Sequence, residues 1–213
     1  MDNPWKHIDL SDYERHMSDP GVGQLQAFSR ILREQLADWR PASLCMLGGG
    51  PGAGLEHADS NFVRRVYLLD INESYLAESR SRHPKLAGIL ETRACDLGEP
   101  GLMLPDCDLM EASLFIEYIG VETFAALVRR NLDKFRVLSC TIQKSNANSF
   151  VSASPTAHKL AILGDLHHDV EEEELTAALE KTGLRVVKRK VYDLPNGKEF
   201  IRVDFSRNQG KAE

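Results

Sequence analysis

The chain has few cysteines and lacks the sequence features of a membrane-spanning protein or of a strongly basic nucleic-acid-binding protein. No two of its four cysteines have the C-x-x-C spacing of a metal or redox motif. No apolar run approaches the roughly 18 residues needed to cross a bilayer, and no basic stretch precedes an apolar core at the N-terminus. The formal net charge of −6 argues against broad electrostatic binding to nucleic acid or an anionic membrane. We therefore expect a cytoplasmic protein with reduced thiols and no nucleic-acid or membrane partner.

What the chain does have is enough apolar sequence for one α/β domain with a small appendage. It contains 213 residues, of which 42% are hydrophobic. Apolar runs alternate with amphipathic segments, which predicts a parallel sheet covered by helices on both faces. The predicted strands are Ser43–Leu47, Val66–Asp70, Gly88–Cys95, Asp108–Ser113, Arg136–Ile142, Leu184–Tyr192 and Phe200–Phe205. The predicted helices are 22–40, Glu73–Arg82, Glu122–Leu132 and Val170–Lys181, with a helical turn over Gly54–Asp59.

The C-terminal end departs from this alternation. The last two predicted strands are separated by a short segment containing Asn196-Gly197. Asn-Gly suits turns that need positive φ and join antiparallel strands. The sheet is therefore expected to finish with an antiparallel element.

Five glycines follow the first predicted strand. The run Leu44–Leu47 leads into Gly48-Gly49-Gly50-Pro51-Gly52-Ala53-Gly54. Glycine turns of this kind let a ligand approach the backbone closely, although they also serve as plain connections between a strand and a helix.

Acidic residues follow the next two predicted strands. Asp70 closes the second strand and lies 20 residues beyond Gly50, which is the spacing expected for an acid that binds a ribose. The alternative is that Asp70 caps the helix beginning near Glu73. After the third strand, Cys95-Asp96-Leu97 places an acid beside an apolar residue, which suits an adenine ring and its amino group.

At these positions the chain resembles the class I S-adenosylmethionine (SAM)-dependent methyltransferases. Gly48, Gly50 and Gly52 match the family's first motif, Asp70 matches the second, and Cys95-Asp96-Leu97 is similar to the adenine-binding motif. Ile116-Glu117-Tyr118 stands where many members carry Leu-Glu-His. The Asn-Gly hairpin is similar to the one that precedes their antiparallel seventh strand.

The resemblance implies a Rossmann-like, doubly wound sheet of seven strands, mostly parallel, with SAM as the cofactor. It divides the chain into an N-terminal helical cap over 1–41, a methyltransferase domain over 42–207 and a tail over 208–213. The implied cofactor-binding residues are Gly48, Gly49, Gly50, Gly52, Asp70, Ile71, Asp96, Leu97, Ser113 and Leu114.

One position departs from the family pattern. Many members carry an acid two residues before the first glycine, where this chain has Met46. That acid commonly orients the loop or the methionine ammonium group. Either another group, for instance from the N-terminal segment, supplies the contact here, or the cofactor binds weakly.

Candidate catalytic residues lie outside the glycine turn. Tyr13, His16 and Gln24 belong to an N-terminal segment expected to close over the cofactor, unless its aromatic residues only pack on the helix at 22–40. His167 and His168 end a long predicted loop, Gln143–Asp169, and a histidine there suits a general base. That loop also holds Lys144, Asn146, Asn148 and His158. The alternative is that His167 and His168 only cap the last helix.

The resemblance implies direct in-line methyl transfer to a small molecule, by a monomer or a homodimer. No Asn/Asp-Pro-Pro-aromatic motif of base-amine methylation follows the fourth strand, and the acid of divalent-metal enzymes is also missing there, so we expect no metal. Two alternatives remain open: an NAD-dependent oxidoreductase, since a glycine turn with Asp70 also fits a dinucleotide, and a non-catalytic SAM-binding regulatory module.

Overall fold

The structure is a computed structural model that describes residues 3–144 and 151–207. Its strands are β1 (Ser43–Leu47), β2 (Arg65–Asp70), β3 (Leu90–Ala94), β4 (Cys107–Ser113), β5 (Phe135–Lys144), β6 (Leu184–Asp193) and β7 (Glu199–Arg207). Its α-helices are α1 (Leu10–Ser18), α2 (Gln24–Trp39), α3 (Glu73–Arg82), α4 (Ile116–Ile119), α5 (Val121–Arg130), α6 (Ala157–Leu160) and α7 (Glu172–Glu180). No helix among these residues is long and apolar enough to cross a bilayer.

The seven strands form one sheet in the order β3-β2-β1-β4-β5-β7-β6. All neighbouring pairs from β3 to β5 are parallel, whereas β7 runs antiparallel to both β5 and β6. This confirms the predicted Rossmann-like sheet, mostly parallel with an antiparallel C-terminal strand. Chain order reverses between β1 and β4, and α/β sheets bind ligands beyond the carboxyl ends of the strands at such a point.

Apolar side chains cover both faces of the sheet. On β1, Cys45 and Leu47 join one core cluster, while Leu44 and Met46 join another on the opposite face. Strands buried on both faces read as continuous apolar runs, which is why β1 was recognisable from sequence. All four cysteines are free thiols.

The boundaries differ from prediction mainly near the cavity described below. The N-terminal segment forms a 3₁₀ turn over Pro4–His7 before α1, and only a 3₁₀ turn, Leu55–His57, follows the glycine turn. β5 continues to Lys144, two residues beyond its predicted end, because it stays paired with β7 as far as Glu199. The predicted loop after β5 instead contains α6 and a 3₁₀ segment over Ala161–Leu166. Asn146 and Asn148 lie outside the described residues.

Candidate active site

A cavity opens at the carboxyl ends of β1, β2 and β4, where the order of the sheet reverses. The glycine turn, the ends of these strands and the loop after β3 form its base. Residues from the N-terminal segment, from α2 and from the segment after β5 cover it. The residues discussed below that line the cavity are Trp5, Tyr13, His16, Gln24, Met46, Gly48, Gly49, Gly50, Asp70, Ile71, Cys95, Asp96, Leu97, Glu111, Ser113, Leu114, Glu117, Tyr118, Gln143 and His167.

The glycine turn cannot carry side chains at its first positions. A Cβ at Gly48 would lie 2.7 Å from the ring of Phe115, and a Cβ at Gly49 would lie 2.4 Å from Leu68 Cδ1. Gly48 also has φ of 62°, a backbone conformation that residues other than glycine rarely adopt. The turn therefore keeps its bare backbone facing the cavity.

Gly52 has a different place from the one the resemblance implies. It is not among the residues that line the cavity. A Cβ there would lie 2.6 Å from Leu55 Cδ1 and 2.8 Å from Ser79 Oγ. The absence of a side chain at Gly52 serves the packing of the turn on α3 in this structure.

Asp70 joins the glycine turn to the start of α3. One carboxyl oxygen accepts a hydrogen bond from the backbone N–H of Gly50, and the other accepts from that of Asn72, both at 2.8 Å. Burial raises the pKa of Asp70. The N-cap of α3 is Asn72, whose Oδ1 accepts from the N–H groups of Ser74 and Tyr75, so the helix-cap alternative for Asp70 was wrong.

The remaining predicted cofactor residues surround the same space. Ile71, Asp96 and Leu97 line the cavity after β2 and β3, and Ser113 and Leu114 line it at the end of β4. Leu114 has φ of 47° although it carries a side chain. Strained backbone of this kind clusters at functional sites.

The N-terminal segment lies against α3 and α4. The ring of Trp5 packs edge-on against Tyr118 with centroids 5.0 Å apart, and Tyr13 lies 5.7 Å from Tyr75. Their ring contacts are therefore with α3, α4 and each other. Burial raises the pKa of the Tyr13 phenol.

Two polar contacts hold the cap to the far side of the cavity. His16 Nδ1 lies 2.7 Å from Ser154 Oγ, and Gln24 Nε2 donates to Gln143 Oε1 at 2.6 Å. Burial lowers the pKa of His16. The cap is thereby linked to β5 and to the segment that follows it.

The two adjacent histidines face different surroundings. His167 lines the cavity and packs edge-on against Tyr118, and burial lowers its pKa, so the neutral ring dominates at pH 7. His168 is exposed and does not line the cavity, although its backbone N–H donates to Glu117 O at 2.7 Å. Neither histidine caps α7, since the N-cap is Glu171.

Two buried carboxyl groups were missed as site residues by sequence reasoning. Glu111 on β4 and Glu117 on α4 both line the cavity and are each 3% exposed. Burial raises the pKa of each to about 7. The available signal was a glutamate inside the otherwise apolar centre of β4, since buried acids are rare without a partner.

Each glutamate accepts a hydrogen bond from a neighbouring residue on one of its oxygens. The Ser113 hydroxyl donates to Glu111 Oε1, and the backbone N–H of Gln143 donates to Glu117 Oε1 at 3.1 Å. Glu117 Oε2 is buried and has no hydrogen-bond partner among the described residues. A buried acceptor left in this state favours a ligand that donates to it.

No protein-family model matches the sequence, and no curated protein matches it either. Solved structures do match in fold. Magnesium protoporphyrin IX methyltransferase from Synechocystis PCC 6803 with bound SAM aligns with a TM-score of 0.68 at 13% identity, over 96% of this chain and 94% of that chain. The N-methyltransferase NodS from Bradyrhizobium japonicum WM9, in complex with S-adenosylhomocysteine (SAH), gives 0.69 at 13% identity, over 98% and 100%.

A similar fold also occurs in an enzyme that is named for a reaction other than methyl transfer. The [4+2]-cyclase SpnF aligns with a TM-score of 0.63 at 11% identity, over 87% of this chain and 83% of that chain. Identities this low establish the fold alone. The chain has the fold of class I SAM-dependent methyltransferases, as the sequence resemblance predicts.

Proposed function

We propose that the protein is a SAM-dependent methyltransferase that acts on a small molecule by direct in-line methyl transfer. The observation that carries the proposal is the convergence in one cavity of the bare glycine turn, Asp70, the Asp96-Leu97 pair and the end of β4. These groups come from separate strands that meet only at the switch point of the sheet.

The residues present fit the cofactor. The backbone at Gly48–Gly50 carries no side chain that would block close approach, and in this proposal Asp70 binds the ribose and Asp96 with Leu97 the adenine, since all of them line the cavity. Ser113 and Leu114 border the space left for the methionine end. When bound, the cofactor supplies an electrophilic methyl group.

The contribution of the chain is alignment, exclusion of water and, where the acceptor needs it, removal of a proton. Trp5, Tyr13 and Tyr118 cover the cavity with aromatic surface. His167 and Glu117 are better placed to take a proton than Tyr13, because burial raises the pKa of the Tyr13 phenol so that it keeps its proton. His168 is exposed and, to act, would have to turn towards the cavity.

A small-molecule acceptor is favoured by the cover of the cavity. Residues of the N-terminal segment and of the segment from 151 to 167 line it on the side away from the sheet, and we infer an acceptor small enough to fit between them. The net charge of −6 also disfavours nucleic acid. Free thiols agree with a reducing compartment, and we propose cytoplasmic action as a monomer or a homodimer.

The NAD-dependent alternative is weakened by sheet topology. Dinucleotide-binding sheets of the doubly wound type use the order 3-2-1-4-5-6 with parallel strands, whereas β7 here is antiparallel and lies between β5 and β6. The non-catalytic alternative is not excluded by the fold. A cyclase shares the fold, so the fold alone does not require methyl transfer.

The test is methyl transfer from SAM carrying a labelled methyl group to a panel of small amines, alcohols, thiols and acids. We expect labelled product with at least one class, and a Glu117→Gln or His167→Ala variant should lose turnover while still binding SAH. SAH binding by the wild type with no transfer to any class would favour the regulatory module.

A further inference from the structure

Glu111 lies next to the position where β1 lacks an acid. In the parallel register of β1 and β4, Met46 is paired with Glu111. Residues in register on adjacent strands project from the same face of a sheet, and both side chains line the cavity. A carboxyl group absent from the end of β1 is therefore present one strand away, beside the glycine turn.

We propose that Glu111 binds the α-ammonium group at the methionine end of SAM and so replaces the acid missing at position 46. This assignment rests on the proposed function. It commits Glu111 to the cofactor and leaves Glu117 and His167 for the acceptor.

The fold provides Glu111 with no close cation of its own. Among the described residues it forms no ion pair within 4.0 Å, and the Ser113 hydroxyl donates a hydrogen bond to it. Arg202 exerts an attractive charge effect on Glu111, but its guanidinium already pairs with Asp204 at 2.5 Å and Asp38 at 3.0 Å. A buried carboxylate without a paired cation is costly, and a ligand ammonium group relieves that cost.

The placement of Glu111 also suits the methionine end rather than the nucleoside end. It lies on β4, two residues before Ser113, whereas Asp70 ends β2 and Asp96 follows β3, on the other side of β1. A ligand held by Asp70 and Asp96 and crossing the glycine turn would direct its remaining end towards β4. Glu111 is the carboxyl group of β4 that lines the cavity.

The test compares two ligands that differ at the methionine end. SAH carries the amino-acid group, whereas 5′-methylthioadenosine keeps the nucleoside and the sulfur but lacks that group. In calorimetric titrations, Glu111→Gln should weaken SAH binding by about 10- to 100-fold, the range for a hydrogen bond to a charged group. Binding of 5′-methylthioadenosine should change less than about twofold, since it has no ammonium group to lose.

A second comparison is made on the wild type and so does not depend on how a substituted protein folds. A desamino analogue of SAH, in which hydrogen replaces the ammonium group, should bind the wild type about 10- to 100-fold more weakly than SAH does. In Glu111→Gln, SAH and the desamino analogue should bind about equally. A matched control is Asp108→Asn, which also replaces a carboxyl group of β4 by an amide. Asp108 lies at the opposite end of the strand from the cavity, where its carboxyl group accepts from Ala42 N–H at 2.7 Å.

The outcomes separate the inference from the function on which it rests. Wild-type protein that binds none of the three ligands overturns the proposed function and the inference with it. Wild-type protein that binds SAH and its desamino analogue equally overturns the inference alone, as does a Glu111→Gln variant that loses SAH and 5′-methylthioadenosine to the same extent. Restored SAH binding in Met46→Glu combined with Glu111→Gln would support the exchange of roles directly.

Discussion

At the scale of single residues, Asp70 supports the glycine turn and is the proposed ribose-binding group. Its two oxygens accept from Gly50 and Asn72, which orients the carboxyl group, and a carboxylate has further lone pairs that could accept from the proposed ribose. Asp70→Ala should lower SAH affinity at least tenfold, because it removes both the ribose contact and the support of the turn. Calorimetry checks this, and unchanged affinity would place the ribose elsewhere.

Glu117 makes the stability of the ligand-free protein depend on pH. Burial raises its pKa from 4.5 to about 7, so the neutral form is the one the fold prefers. Its contribution to stability is complete below about pH 4.5 and is lost as pH rises through 7. Between pH 5 and 8 the free energy of unfolding of the wild type should therefore fall by about 3 kcal/mol more than that of Glu117→Gln, which has no carboxyl group to ionise.

Chemical denaturation at several pH values measures this difference. Glu122→Gln, an exposed substitution on α5, is the matched control and should follow the wild type. Parallel pH curves for the wild type and Glu117→Gln would mean that Glu117 is not held neutral by burial.

At the scale of elements, Asn72 joins α3 to the N-terminal segment. Its Oδ1 caps α3, while its Nδ2 donates to the carbonyl of Trp5 at 2.9 Å. Asn72→Asp keeps the cap but removes the donor, whereas Asn72→Ala removes both. We expect Asn72→Ala to be destabilised by about 1–3 kcal/mol and Asn72→Asp by less.

Hydrogen exchange distinguishes the two functions of Asn72. Both variants should speed amide exchange in α1, because both lose the hydrogen bond from Asn72 to the N-terminal segment. Only Asn72→Ala should speed exchange in the first turn of α3, because only it loses the helix N-cap. Slow exchange in α1 of both variants would show that the other contacts of the N-terminal segment hold it without Asn72.

A buried charge network fixes α2 to the sheet. Asp204 on β7 accepts from Arg202 Nε at 2.8 Å, from Trp39 Nε1 at 2.7 Å and from Ser139 Oγ at 2.5 Å. Because Arg202 is fully buried, Asp204→Ala would leave its charge with Asp38 alone and remove the acceptor of Trp39 and Ser139, which should cost about 3–5 kcal/mol. Urea denaturation should show the double change Arg202→Met with Asp204→Leu to be less damaging than Asp204→Ala, and the reverse order would contradict this reading.

At the scale of the whole molecule, the sheet was predictable because local signals agreed with each other. β1 and β2 are apolar runs, Asn196-Gly197 marks the turn before β7, and the glycine turn marks the switch point. Glu111 and His168 were not predictable in the same way. The register that sets Glu111 against Met46, and the exposure that removes His168 from the cavity, arise from contacts distant in sequence.

The central claim is that the cavity binds SAM rather than a dinucleotide or no nucleotide at all. Calorimetric titration of the purified protein with SAM, SAH and NAD tests it most directly. We expect saturable binding of SAM and SAH at one site per chain and none of NAD. Binding of NAD without binding of either sulfur compound would contradict it.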